Sequence, residues 1–451
     1  MDEVETDLLD EHCRKLFGIC EKLTQSSSLD SICDSFRYLR NSCASGIEHQ
    51  NYIADHDRGL PCIVKVLESI TKSLPCSEER NVCLRLGVQL LGNMTVGNDE
   101  TKKVVWQKCS NILSSTIRCG DQKSANYAAM VVYNIFLGRL NEENWQEFDA
   151  AFVSGIIAAA ISGSEYGLFI VELLLKSKGF LTKYYSELSP EQKYYILDVI
   201  SSNVSAISND DTTKESRKVH LSSIQFISHQ FCASSDSILN IRSFCKVEAN
   251  QASENLSQDI SDDGDPCEVS KWLDVLSSAS GNEEYLSSLQ DDGELLIQAV
   301  FLLKSILLVG KLAEDEGDLQ HPFVPMQKLS AVGLIQPECD IEGHPVHGFK
   351  RNLVRLIGNM AWKNKTVQNK VLELECVPLI LDCCNIDERN PFITQWAIMA
   401  IHNLCDGNVE VQEVIWSLKR EGVINPDFLK EMGLRLHDSG SEKISIIPLP
   451  K

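Results

Sequence analysis

No two cysteines of this chain stand in C-x-x-C spacing, although it has 17 of them. Zinc sites and thioredoxin-like dithiols favour that spacing, so neither is indicated. The stretch "MDEVETDLLDEHCRK" is acidic and has no apolar h-region, so it is not expected to act as a signal peptide. The expectation is free thiols in a reducing compartment, with the sequons at Asn93, Asn203, Asn255 and Asn364 unused. No long run of Lys or Arg offsets a formal net charge of −22, a surface that repels phosphate backbones and anionic lipid. The longest apolar stretch, Leu295 to Val309, is short of a bilayer span and carries Gln298 and Lys304. No G-x-S-x-G, Walker or dinucleotide glycine pattern appears. Together these absences predict a soluble intracellular protein that is not an enzyme, has no cofactor or metal, binds no nucleic acid and does not insert into membranes.

Prolines (13) and glycines (25) are sparse in 451 residues, which suits a helix-rich chain better than a turn-rich sandwich. The length exceeds one ordinary core, so several domains or a repeat array are expected. What is present is a repeat. Leu353, Leu356, Ile357 and Met360 follow the i, i+3, i+4, i+7 pattern of one helix face. The same offsets recur as Ala397, Ala400, Ile401, Leu404; as Gly87, Leu90, Leu91, Met94; as Ala128, Val131, Val132, Ile135; and more weakly as Ser35, Tyr38, Leu39, Ser42. Each time an asparagine precedes the last position: Asn41, Asn93, Asn134, Asn359 and Asn403. A second asparagine follows five residues later at Asn98, Asn364 and Asn408, and a glutamine nine residues after the first at Gln50, Gln368 and Gln412. Leu60-Pro61 and Val377-Pro378 then mark a following helix start, since proline is tolerated in a first turn.

The asparagines lie 52 residues apart from Asn41 to Asn93, 41 from Asn93 to Asn134, and 44 from Asn359 to Asn403. Such periods belong to the armadillo/HEAT class. The predicted fold is all-α, an armadillo/HEAT-like right-handed helical solenoid whose unit has two shorter helices and a long third helix carrying the asparagine. The 225 residues from Asn134 to Asn359 leave room for about five degenerate units at that period. The segment Lys246 to Pro266 is polar and acidic, the composition of an exposed insertion. The reading divides the chain into N-terminal repeats over 1–205, a partly disordered acidic insertion with some helix over 206–270, and C-terminal repeats over 271–451. Ser208 to Lys218 and Ala313 to Phe323 read as loops, and the tail from Asp438 as loose.

Two stretches carry a family resemblance. "GFKRNLVRLIGNMAWKNKTVQNKVLELECVPLILDCCNIDERNPFITQWAIMAIHNLCDGN" resembles the C-terminal domain of the ataxin-10 family, expected at about 340–436, and "FRYLRNSCASGIEHQNYI" resembles its N-terminal repeat. The resemblance implies a non-catalytic armadillo-like scaffold that binds other proteins. It implies roles in cytokinesis, in centrosome and cilium biology, and in neuronal survival and neurite outgrowth. It places the chain in the cytoplasm, with perinuclear, centrosome or basal-body and midbody sites. Partners are expected to be other proteins through the solenoid surface, a second copy of the chain among the candidates.

Three features bear on chemistry. "EGHPVHG" brings Glu342, His344 and His347 near Cys339, but a proline parts the histidines and no second cluster completes a tetrahedron, so a solvated loop with capping histidines is favoured. Cys383 and Cys384 read as small hydrophobes on a buried face. The asparagine ladder has two readings. On the face shared by third helices an amide can hold an extended peptide, since it donates and accepts. Alternatively, Asn359 with Asn364 ties the helix end to the next loop by satisfying orphan carbonyls, which is favoured. An importin-like carrier of basic peptides is the alternative function. Such carriers place a Trp four residues before the asparagine, where this chain has Arg37, Gln89, Met130, Arg355 and Met399.

Overall fold

The structure is a computed structural model. It describes residues 29–55, 59–72, 77–138, 148–205, 218–241, 264–319, 321–325, 343–385, 387–418, 434–438 and 444–449, with a few helical residues before 15. These fall into two compact units: one within Met1–Val199 and Asp210–His220, the other within Ile200–Asn209 and Leu221–Lys451. Of the acidic insertion, residues 242–263 lie outside the described residues, as do 206–217 of the preceding loop.

The fold is all-α and built from helical repeats. The first unit contains α1 (Leu29–Cys43), α2 (Ile47–Asp55), α3 (Leu60–Thr71), α4 (Glu78–Thr95), α5 (Asp99–Ile117), α6 (Gln122–Phe136), α7 (Ala150–Ile161), α8 (Glu165–Leu175) and the short α9 (Phe180–Tyr184). α10 (Pro190–Ser205) follows. The second unit continues with α11 (Leu221–Ser234), α12 (Pro266–Ala279), α13 (Glu283–Gln290), α14 (Gly293–Asp315), α15 (Phe349–Met360), α16 (Lys365–Glu373), α17 (Val377–Asp382), α18 (Ile393–Cys405) and α19 (Val409–Ser417).

The helices that carry the ladder stack on one another and on two helices, α8 and α12, that lack its asparagine. In the first unit α1 packs on α4, α4 on α6 and α6 on α8; in the second, α12 packs on α15 and α15 on α18. Their apolar stripes form the core, with Phe36, Leu39, Leu91, Val131, Phe349, Leu353 and Ala397 fully buried. Gly358 lets α15 and α18 approach closely: a Cβ there would lie 2.6 Å from the Ala400 Cβ. The two prolines do begin helices, at the first turns of α3 and α17. Where no proline interrupts, the first two helices of the unit fuse into α5, 19 residues long. The two-short-one-long pattern therefore holds for α2–α4 and α16–α18. It fails around α5, and again where the 23-residue α14 is longer than the third helix α15.

The apolar pattern also persists in copies without a ladder asparagine. Gly167, Ile170, Val171 and Leu174 of α8, and Trp272, Val275, Leu276 and Ala279 of α12, are buried at the same offsets. Leu173 and Ser278 stand in the asparagine's place.

α14 is one described helix long and apolar enough to cross a bilayer by length and composition, a property that core helices of soluble proteins share. Leu295, Ala299, Leu302, Leu303 and Ile306 are buried on its inner side, and Ile297, Phe301, Leu308 and Leu312 are exposed on the other. The tail departs from expectation. β1 (Leu434–Asp438) and β2 (Ile444–Pro448) pair antiparallel, Leu436 opposite Ile446. Short runs of branched apolar residues flanking a Ser-Gly-Ser stretch favour such a hairpin.

Candidate functional site

All five ladder asparagines lie on third helices, but their side chains do different things. The Asn93 amide donates to the Arg40 carbonyl at 2.9 Å, and the Asn403 amide to the Gly358 carbonyl at 2.9 Å. In both cases the acceptor is the residue just before the ladder asparagine of the preceding repeat. Asn359 donates to the Ser280 hydroxyl at 3.0 Å, at the end of α12. Asn41 is exposed and accepts from the Arg40 guanidinium, and Asn134 makes no side-chain hydrogen bond among the described residues. Three of the five, Asn93, Asn359 and Asn403, thus reach backwards to the previous repeat rather than forwards to their own loops. Asn403→Ala should cost about 1–3 kcal/mol, because it strips a buried carbonyl of its donor, and Asn134→Ala much less. Urea midpoints of the two variants check this; equal losses would contradict it.

The second asparagine and the glutamine form a polar clasp that is nearly the same in each unit. Asn98, Asn364 and Asn408 cap the N-termini of α5, α16 and α19 through their side-chain oxygens. Each follows a residue of positive φ: Gly97 at 66°, Lys363 at 50° and Gly407 at 64°. The Gln50 amide donates to the carbonyls of Cys43, Asn93 and Val96 at 3.5, 3.0 and 3.2 Å. The Gln368 amide does the same to Ala361, Asn403 and Asp406 at 3.3, 2.9 and 3.2 Å. The Asn98 and Asn408 amides return a bond to the oxygens of Gln50 and Gln368. Each glutamine so satisfies carbonyls that the ends of two third helices leave orphaned. Gln290 of α13 makes a related contact to the Met360 and Trp362 carbonyls. Gln412, by contrast, is exposed and bonds the Cys405 carbonyl of its own repeat.

A knot that the sequence reading did not single out holds the start of α15. Lys350 and Asp387 pair at 2.7 Å with both side chains almost wholly buried. Asp387 also accepts from the Asn390 amide at 2.9 Å, and the Asn390 oxygen accepts from the Arg351 backbone N–H at 3.1 Å. Arg389, buried as well, donates to the carbonyls of His321 and Val324.

From Phe349 to Lys370 the chain has six cations and no carboxylate, in a protein of net charge −22. Lys350 is spent on Asp387, Lys370 pairs with Glu373, Lys365 donates to the Gly407 carbonyl and Lys363 lies over the Trp362 ring. Arg351 and Arg355 remain, half-buried one turn apart on α15, with no carboxylate in ion-pair contact among the described residues. The Arg355 guanidinium lies 4.8 Å from the Trp396 ring centre on α18. Its Nε is buried without a hydrogen-bond acceptor among the described residues. Burial, and for Arg355 the neighbouring charge of Arg351, push both guanidinium pKa values down, while Asp274 pulls the other way.

No group of three metal-binding side chains occurs among the described residues. Cys339 and Glu342 lie outside them, and the His344 Nδ1 accepts from the Val346 N–H as a turn cap does. Burial pushes the Cys383 thiol up to about 12 and raises Cys384 too, which disfavours the reactive thiolate.

A family model described as a spinocerebellar ataxia type 10 protein domain matches residues 349–447. Ataxin-10 of Bos taurus is 30% identical over 428 residues, which is 93% of this chain and 82% of that protein. Human ataxin-10 is 29% identical over 426 residues, with the same shares. The ataxin-10 homolog of Dictyostelium discoideum is 43% identical over 103 residues, 22% of this chain and 17% of that protein. A designed armadillo repeat protein in complex with the peptide (KR)4 aligns over 88% of this chain and 99% of its own, at 11% identity and a TM-score of 0.22.

Proposed function

The chain belongs to the ataxin-10 family, and on that premise we propose that it is a non-catalytic scaffold that holds partner proteins on the face shared by its third helices. The observation that carries this is how the polar side chains are used. The clasps and the buried knot direct theirs inward, to carbonyls and to each other, and build no reactive constellation. The outward positions of α15 and α18 are left with Arg355, Trp396, Met399 and His402, a mixed cationic and apolar surface suited to protein recognition. The biological setting proposed is cytokinesis, centrosome or cilium biology, and neuronal survival or neurite outgrowth. The compartments proposed are the cytoplasm, perinuclear region, centrosome or basal body and midbody.

A carrier of basic peptides is less well supported, because two of the positions that would hold its aromatic clamp are Arg37 and Arg355. Affinity purification of the full chain from dividing cells, followed by mass spectrometry, tests the scaffold. The expected result is a reproducible set of captured proteins that shrinks when Met399→Asp alters the third-helix face at unchanged melting temperature. A partner set identical in wild type and variant would overturn the use of this face, and no enriched protein would overturn the scaffold.

A further inference from the structure

Deepening the scaffold reading, on which it rests, we propose that the Arg351–Arg355–Trp396 patch of α15 and α18 is a docking point for an acidic, extended peptide segment of a partner protein. The argument begins with charge. Arg351 and Arg355 sit one helical turn apart, so each positive charge disfavours the other. Asp274, the carboxylate that acts on both through its charge, accepts a short hydrogen bond from the Asn352 amide. Lys350 and Lys370 each pair with a carboxylate, whereas Arg355 has the Trp396 ring and the Arg351 Nε donates to the Asn352 side-chain oxygen at 3.0 Å, neither of which supplies negative charge. Two half-buried guanidiniums that share one distant carboxylate, with none in ion-pair contact among the described residues, favour the arrival of a further anion.

Geometry then narrows the ligand. The Arg355 guanidinium lies over the Trp396 ring, 4.8 Å from its centre, and its Nη2 lies beside the α12–α13 turn, 3.6 Å from where a Cβ on Gly281 would stand. The ring contact restrains the guanidinium, whose planar fork matches a carboxylate bidentately. Immediately along the helix is the Asn359 amide, whose nitrogen is 3.7 Å from the same point above Gly281 and whose oxygen can accept a backbone N–H. A guanidinium pair with an amide beside it on a third-helix face fits acidic side chains on an extended strand. A nucleic acid would instead have to overcome the acidic remainder of the surface.

The test is fluorescence anisotropy of the full chain at low salt with three labelled probes: a repeating Glu-Gly peptide, a Lys-Gly peptide of equal length, and single-stranded DNA. The Glu-Gly peptide is expected to bind with a Kd of about 10–100 µM, weakening as salt rises. Arg355→Gln and, separately, Arg351→Gln should each weaken it about tenfold. Arg355→Lys should recover part of the loss, because charge returns without the fork. Unaltered melting temperatures exclude misfolding, and having two single-site variants keeps the test informative if one does not fold. Equal binding by wild type and both Gln variants would overturn the proposal, as would tighter binding of the Lys-Gly peptide or of DNA. Binding that appears only after residues 250–263 are deleted would name the chain's own acidic stretch as occupant, and would also overturn it. Failure of this patch while affinity purification still captures partners leaves the scaffold standing; failure of both removes it.

Discussion

Asp387→Asn is expected to lower the unfolding free energy by about 3–5 kcal/mol, the cost of leaving one member of a buried ion pair without its counter-charge. The Lys350 ammonium is enclosed with Asp387 at 2.7 Å, and water cannot replace a carboxylate there. Asn would keep the shape and lose the charge, so the effect isolates electrostatics from packing. Asp387 also anchors Asn390, which caps the Arg351 N–H at the start of α15. The loss should therefore appear as faster amide exchange in the first turn of α15 as well as a lower urea midpoint. The double variant Lys350→Met, Asp387→Leu should recover most of the stability, since an apolar pair of similar volume often matches a buried ion pair. A single variant within about 1 kcal/mol of wild type would show that the pair is solvated rather than enclosed.

Gln368→Leu is the second large effect. Leucine fills a similar volume but donates nothing, so the carbonyls of Ala361, Asn403 and Asp406 lose a shared donor and the Asn408 amide loses one of its two acceptors, keeping Asn369. At about 1–3 kcal/mol for each buried group left unsatisfied, a total on the order of 3 kcal/mol is expected. Gln412→Leu is the control. Its glutamine occupies the same offset but is exposed and bonds one carbonyl of its own repeat, so a change within about 0.5 kcal/mol is expected. Denaturation of both variants, with hydrogen exchange read over α18 and α19, separates a repeat-joining role from a local one. Equal losses for Gln368 and Gln412 would reject the former.

What could be read from the sequence follows from which interactions repeat. Asn93 and Asn403 do one job in two repeats, so a fixed offset on a periodic helix exposed them. Gln50 and Gln368 surfaced by the same logic, although their partners are main-chain carbonyls that no sequence displays. The copies in α8 and α12 were hidden because Leu173 and Ser278 replace the polar marker while the apolar face stays. The role of the asparagine was harder to read than its register. Satisfying the helix's own end and reaching back to the previous helix ask for the same residue at the same place, and only the packing of α4 on α1 and α18 on α15 separates them. The Lys350–Asp387 pair follows no period. Its members are a helix residue and a loop residue that meet because α18 returns beside α15. The contact of the Arg355 guanidinium with the Trp396 ring likewise spans two repeats.

The turn between ladder asparagine and capping asparagine has a consequence for how such chains diverge. In all three copies it is five residues from the first to the second, with a single left-handed residue before the cap. One inserted residue would turn the following helix by roughly 100° and swing its glutamine away from the carbonyls it serves. Length variation among relatives should therefore gather away from these turns, in segments such as 242–263 and 326–342. An alignment that opens gaps between Asn359 and Gln368 has most simply been drawn wrongly.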